Sequence, residues 1–275
     1  MVESISDEEL NALMQAMKNR YGLDFTNYEK KSFKRSIVRL MMKHKIGSML
    51  ELWSRILKDK QFFLDGIDDL LVNLTELFRN PDAWIMIRDQ ILDKFKNKSQ
   101  LKIWHAGCST GEEVFTMSMV LDDKGMLYKT KSLATDLSDA ALSKAKNGVY
   151  SLMIMKQYLR PFLEYYPNRK MDDFFEFKEK DAVIKDTYKK HVTFKKHNLV
   201  QDQVHEKFDI IFCRNVMIYF DETLKLKVLN LFNDCLNEGG YLVIGYYDIM
   251  PDGGKQIFDT YDVKTRIYKK KIIKY

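Results

Sequence analysis

From residue 101 onward the chain alternates short apolar runs with helical patterns, and this alternation constrains the fold more than any other feature. Runs at 101–106, 132–135, 192–196, 208–213 and 241–245 read as strands, with helical spacing over 112–122, 138–147 and 222–237. Short apolar runs separated by helices predict a parallel sheet covered on both faces, an α/β fold. Residues 256–263 and 265–272 alternate β-branched and aromatic side chains, so an antiparallel pair is expected to close the sheet. Residues 151–190 carry no clear period, and only "FFEFKEK" hints at an extra strand.

The first hundred residues follow another rule. Ser6 to Glu9, Thr26 to Glu29 and Ser48 to Glu51 each spell S/T-x-x-E, the capping box of a helix start. The first helix carries Leu10, Leu13, Met14 and Met17 at helical spacing and stops near Gly22; the third carries Leu50, Trp53 and Leu57. A fourth apolar segment, 62–74, completes a small bundle. Asn80-Pro81 reads as an N-cap followed by proline, opening a linker helix through Phe95 with Trp84, Ile87, Ile91 and Phe95 inward. The expected division is a helical domain over 1–75, a linker helix over 76–98 and an α/β domain over 99–275.

The net charge of +6 is concentrated. Residues 21–60 hold ten Lys/Arg against four Asp/Glu, an excess equal to that of the whole chain. On the second helix, expected over 27–44, Phe33, Ile37, Leu40, Met41 and His44 fall on one side and Lys31, Lys34, Arg35 and Arg39 on the other. No acid stands between Lys30 and Lys45, whereas a merely solvated face mixes signs; an acidic partner is expected there. Three widely spaced cysteines, Cys108, Cys213 and Cys235, indicate neither a disulfide framework nor a zinc knuckle, and the five histidines show no metal-ligand spacing. No metal is expected. No run of eighteen apolar residues appears, and the opening MVESISDEEL lacks a signal pattern, so the cytoplasm is the expected location, without membrane insertion or a nucleic-acid partner.

The segment "LKIWHAGCSTGEEVF" reads as strand, glycine loop and helix start. A phosphate loop would end in Gly-Lys-Ser/Thr, but Glu112 and Glu113 follow Gly111 and would repel phosphate. Gly107-Cys108-Ser109-Thr110-Gly111 matches the G-x-S-x-G nucleophile elbow literally. A third reading is a nucleoside ligand that carries positive charge, held by backbone at the glycines and by carboxylates. Asp136 follows the next strand, at the distance where an acid accepts hydrogen bonds from ribose hydroxyls. Beyond later strands come Asn198-Leu199 and Arg214-Asn215, with Tyr219 nearby, polar groups where buried strands emerge.

"NLTELFRNPDAW", "IWHAGCSTGEE", "ATDLSDAALSKAKNGVYS", "HNL" and "FDIIFCRNVMIYFD", in this order, resemble the CheR family of S-adenosylmethionine-dependent protein-glutamate O-methyltransferases of bacterial chemotaxis. The resemblance implies a Rossmann-like methyltransferase domain with a mostly parallel sheet, preceded by a small all-α domain. It implies that Asn73, Thr75, Arg79, Glu113, Asp136, Asn198, Leu199, Arg214 and Asn215 contact the cofactor, with Arg79 and Tyr219 near the transferred methyl. Gly107 would let the backbone approach the ligand, and the basic helix would dock on an acidic helical receptor. The elbow reading weakens, since it leaves Asp136, Asn198 and the Arg214-Asn215 pair without purpose and no His-Gly-Gly segment precedes Ser109. A cofactor-binding adaptor without turnover is the other alternative.

Two departures stand out: Leu77-Phe78-Arg79 replaces the usual Phe-Phe-Arg, and Gly245-Tyr246-Tyr247-Asp248 stands where many members have Gly-His-Ser-Glu. The following loop, 251–254, is this chain's own, and in the family it flanks the rim of the site, so substrate identity is the property it bears on.

Overall fold

The computed structural model describes residues 5–71 and 75–272. Helix α1 (Asp7–Tyr21) has the expected capping box, with Ser6 Oγ accepting from the Glu9 amide and Glu9 Oε2 from the Ser6 amide, and it ends on Gly22 in the left-handed region. Helix α2 (Lys30–Lys43) starts later than expected. Thr26 spends its amide and hydroxyl on Asp24, so Glu29 becomes the N-cap, its carboxylate accepting from the amides of Lys31 and Ser32. In α3 (Met49–Lys58) Ser48 caps as expected, but the Glu51 carboxylate reaches the amide of Gly47 instead of that of Ser48. This helix buries Leu52 and Ile56 and turns Leu50 outward, 76% exposed, against expectation. Asp59 serves as C-cap of α3 and N-cap of α4 (Lys60–Leu70), and so tight a corner sets which stripe of α3 meets the bundle. Leu10, Leu13, Met14 and Met17 from α1 join Phe33, Ile37, Leu40 and Met41 from α2 in one helical core.

The linker is helical from Pro81, with α5 (Pro81–Met86) passing into a π turn over Ile87–Ile91 and a 3₁₀ turn over Leu92–Phe95. Trp84, Ile87, Ile91 and Phe95 are buried as expected. Asn80, however, does not cap with its side chain: it sits at φ +59°, and its Oδ1 accepts from Arg214.

A seven-stranded sheet follows. It is built from β1 (Leu101–Ala106), β2 (Thr130–Asp136), β6 (Val192–Lys196), β7 (Phe208–Cys213), β8 (Leu236–Ile244), β9 (Phe258–Asp262) and β10 (Ile267–Lys270), in the order β6-β2-β1-β7-β8-β10-β9. The first five pair in parallel, and β10 joins β8 and β9 antiparallel, the expected closing pair. Helices α6 (Glu112–Asp123), α7 (Asp139–Asn147) and α9 (Glu222–Cys235) cover it, and α10 (Asp252–Ile257) precedes β9. Ile103, Ile210 and Phe212 enter one core and Trp104, Ile211 and Cys213 the other, which is why these strands read as unbroken apolar runs. β8 begins at Leu236, five residues earlier than expected, and shortens α9.

The unreadable stretch holds α8 (Leu152–Tyr165) and an antiparallel sheet of β3 (Val149–Ser151), β5 (Asp181–Ile184) and β4 (Phe175–Phe177). β4 is the strand that "FFEFKEK" hinted at. The three cysteines are buried and unbridged. Among the described residues no helix is long and apolar enough to cross a membrane.

Candidate active site

The winding of the sheet reverses at β1, which has β2 on one side and β7 on the other, so the chain leaves a crevice at the carboxyl ends of these strands. A concave cleft occupies it, in the place where open α/β sheets bind small molecules.

The glycine loop forms one wall. The amides of Gly107 and Cys108 both donate to Thr135 O, at 2.8 and 2.9 Å, curling the loop over the end of β2. Gly107 has φ +85°, and a Cβ there would come within 2.5 Å of Val216 Cγ2, so a side chain is excluded on both counts. Ser109 is also left-handed, at φ +48°, and its amide donates to Asp136 Oδ2 at 2.8 Å. Asp136 Oδ1 accepts from the Ser138 amide at 3.0 Å, so one carboxylate fastens the loop to the turn after β2 while lining the cleft.

Opposite lies a charged chain. Glu113 Oε1 is 3.0 Å from His105 Nδ1 on β1, and its Oε2 is 3.6 Å from Arg214 Nη1. Arg214 Nη2 donates to Arg79 O and Asn80 Oδ1, both at 2.8 Å, and the guanidinium lies 5.3 Å from the centre of the Trp84 ring. Burial lowers the Arg214 pKa, and Glu113 opposes that shift. Asn215 has φ +60°, and its amide donates to Asp248 Oδ2 at 2.7 Å. The Gly245 amide donates to the same oxygen at 2.7 Å. Burial pushes the Asp248 carboxyl up to about 6.

Thr75, Arg79, Gly107, Glu113, Asp136, Asn198, Leu199, Arg214, Asn215 and Tyr219 all line this cleft; Asn73 lies outside the described residues. Asn198 is partly spent on its own turn, with Oδ1 accepting from the Val200 amide and Nδ2 donating to Gln201 Oε1. Tyr219 also borders a second groove, with Lys34, Arg35 and Arg39 of α2. Burial raises the Tyr219 pKa, while Arg39, Arg79 and Arg35 act the other way, so three guanidinium groups bear on its hydroxyl. Lys31 is exposed and is not among the groove's walls, and Lys34 pairs with Asp7 at 2.7 Å, so the basic face is less uniform than its sequence.

The elbow is not assembled. Among the described residues Ser109 Oγ is buried without a hydrogen-bond partner, its amide is committed to Asp136, and the Nδ1 of His105 faces Glu113. A nucleophile needs a base within hydrogen-bond reach. Sequence reading missed Tyr28, Glu76, His197 and Phe220 on the cleft wall, and His105 and Asp248 behind it. A histidine inside the apolar run "LKIWHA" was a usable signal; nothing in the sequence joins residue 28 to residue 220.

Residues 73–267 match the family model described as "CheR methyltransferase, SAM binding domain", and residues 8–71 match "CheR methyltransferase, all-alpha domain". The chain belongs to the CheR methyltransferase family. Similar proteins include the "Putative methyltransferase Cher3" of Pseudomonas putida, 32% identical over 243 residues that cover 88% of this chain and 89% of that protein. The "Chemotaxis protein methyltransferase" of Borreliella burgdorferi is 32% identical over 260 residues, covering 88% of each. That of Vibrio anguillarum is 31% identical over 251 residues, covering 88% and 89%.

The cofactor of this CheR-family chain is S-adenosylmethionine, and the cleft fits it chemically. Three carboxylates, Glu76, Glu113 and Asp136, stand on its walls and can receive cationic and hydroxyl groups, Leu137, Leu199 and Val216 supply apolar surface, and Gly107 leaves the backbone bare. Among the described residues no cluster of potential metal ligands is present.

Proposed function

We propose that this methyltransferase transfers the methyl group of S-adenosylmethionine to glutamate side-chain carboxylates of an acidic helical protein, the cytoplasmic part of a chemotaxis receptor. The observation that carries this reading is the position of Tyr219, which lines both the cofactor cleft and the cationic groove beside α2. An acidic acceptor entering along Arg35 and Arg39 arrives at the cleft beside Tyr219. The printed names of the Borreliella and Vibrio relatives support the chemotaxis setting.

Bound S-adenosylmethionine supplies an electrophilic methyl on a sulfonium. Thr75, Arg79, Gly107, Glu113, Asp136, Asn198, Leu199, Arg214 and Asn215 hold it, together with Asn73. A glutamate carboxylate, with an ordinary pKa of about 4.3, is already ionised at neutral pH and needs no base to remove a proton. Arg79 and Tyr219 therefore act by orienting it and excluding water, which otherwise protects the nucleophile. Glu113 is kept in register by His105 on one oxygen and faced by Arg214 on the other.

The test is incubation with methyl-labelled S-adenosylmethionine and a receptor cytoplasmic fragment. Alkali-labile label on the fragment, released as methanol, is the expected result for a glutamyl methyl ester; alkali-stable label would point to a nitrogen acceptor, and cofactor binding without turnover to an adaptor. Tyr219→Phe should lower kcat more than it weakens S-adenosylhomocysteine binding, and equal small losses would make this tyrosine a packing residue.

A further inference from the structure

Tyr28 lies in the loop between α1 and α2, far in sequence from the methyltransferase motifs, yet it lines the same cleft as Asp136. Its backbone is strapped to the α/β domain. Tyr28 forms an isolated antiparallel bridge with Phe220, the Glu29 amide donates to Tyr219 O at 2.8 Å, and the Asp221 amide donates to Asn27 O at 2.9 Å. Its ring meets Phe220 edge-on at 5.2 Å and Phe25 at 5.0 Å, which anchors the body of the side chain where the helical core meets the sheet core.

The polar end is different. Among the described residues nothing hydrogen-bonds the Tyr28 hydroxyl, and burial, together with the Asp136 charge, raises its pKa. Tyr28 is half-buried, its ring packed where the two cores meet and its side chain on the cleft wall, so its hydroxyl is free to serve a ligand in the cleft. Asp136 is the carboxylate expected at the ribose, and Tyr28 lines the same cleft, which puts this tyrosine within reach of the nucleoside part of a ligand held there.

We propose that Tyr28 is a cofactor-binding residue supplied by the helical domain, its hydroxyl hydrogen-bonding the nucleoside part of S-adenosylmethionine. This rests on the cleft assignment above. The helical domain is thereby part of the cofactor site as well as a docking surface.

Calorimetric titration of the full chain separates the two layers of inference. Tyr28→Phe keeps the ring and removes only the hydroxyl. It should weaken S-adenosylhomocysteine about three- to tenfold, the range of one lost hydrogen bond. It should weaken 5′-methylthioadenosine, which keeps the nucleoside and lacks the amino-acid arm, by the same factor, and leave the ligand-free melting temperature unchanged. Wild-type affinity in Tyr28→Phe, beside a weakened Asp136→Ala, overturns the role of Tyr28 and leaves the cleft assignment standing. Wild-type affinity in a folded Asp136→Ala overturns the cleft assignment itself. A loss for S-adenosylhomocysteine without one for 5′-methylthioadenosine, or a matching drop in ligand-free melting temperature, overturns the nucleoside contact.

Discussion

Asp136 and Asp248 are both buried carboxylates that accept two backbone amides, and they do different work. Asp136 receives the amides of Ser109 and Ser138 and still faces the cleft, so it ties the loop geometry to the shape of the cleft wall. A charged hydrogen bond is worth about 1.5–3 kcal/mol, and Asp136→Ala should therefore weaken S-adenosylhomocysteine roughly ten- to hundredfold by calorimetry. Asp248 is fully buried and accepts from the amides of Asn215 and Gly245 on one oxygen, and the Ile218 backbone also bears on the carboxylate. Its pKa of about 6 lies above the ordinary 3.8, so the folded chain binds that proton more tightly than the unfolded chain does. The cost of the buried charge is present above pH 6 and fades as pH falls from 6 towards 4. The melting temperature of Asp248→Asn minus that of wild type should therefore shrink between pH 8 and pH 5. A difference that stays constant would mean that Asp248 does not titrate in this range.

At the scale of elements, α2 walls the cationic groove, which meets the cleft at Tyr219. Its apolar stripe is spent on the bundle, and its cations divide by surroundings: Lys34 is paired with Asp7, Arg39 donates to Ser36 Oγ at 2.8 Å, and Arg35 borders the groove exposed. Charge at a docking surface acts mainly on encounter and is screened beyond about 8 Å at physiological salt. Arg35→Glu should raise KM for an acidic protein substrate several-fold at low salt and flatten its salt dependence, leaving S-adenosylhomocysteine affinity alone. Lys34→Glu should do less, since Asp7 already offsets that charge. An unchanged KM in Arg35→Glu at low salt would place docking on another element. The same helix exposes a limit of sequence reading. Its four cations were legible from periodicity, but Asp7 is distant in the chain, and only packing of α1 against α2 brings it to Lys34.

For the whole molecule, the join between helical layer and sheet is made by backbone bonds around residues 27–29 and 219–221, plus Gln201 Nε2 donating to Gly22 O at 2.6 Å. Tyr28 and Leu71 line the cleft from the helical side. Ligand binding should therefore stabilise both layers as one unit. At a hundred times its Kd, S-adenosylhomocysteine contributes about 2.7 kcal/mol, and calorimetry should record one transition moved upward. Two transitions, only the later one moved by ligand, would separate the layers.

The sequence by itself determined the alternating α/β order, the strand cores and the acids at the strand ends that line the cleft, because each depends on period or on residues a few positions apart. Strands 101–106 and 208–213 emerge at the expected bounds, since burial on both faces leaves a nearly continuous apolar run, and the exposed edge strand 192–196 does so on its alternation of apolar and polar residues. Tertiary structure alone decided the rest. It set the exposed Leu50, the Asn80 side chain turned to Arg214, the small sheet of β3, β4 and β5, and the convergence of Tyr28, Asp136 and Tyr219 on one cleft. These depend on contacts between segments remote in the chain, and local propensity carries no record of which distant surface will arrive.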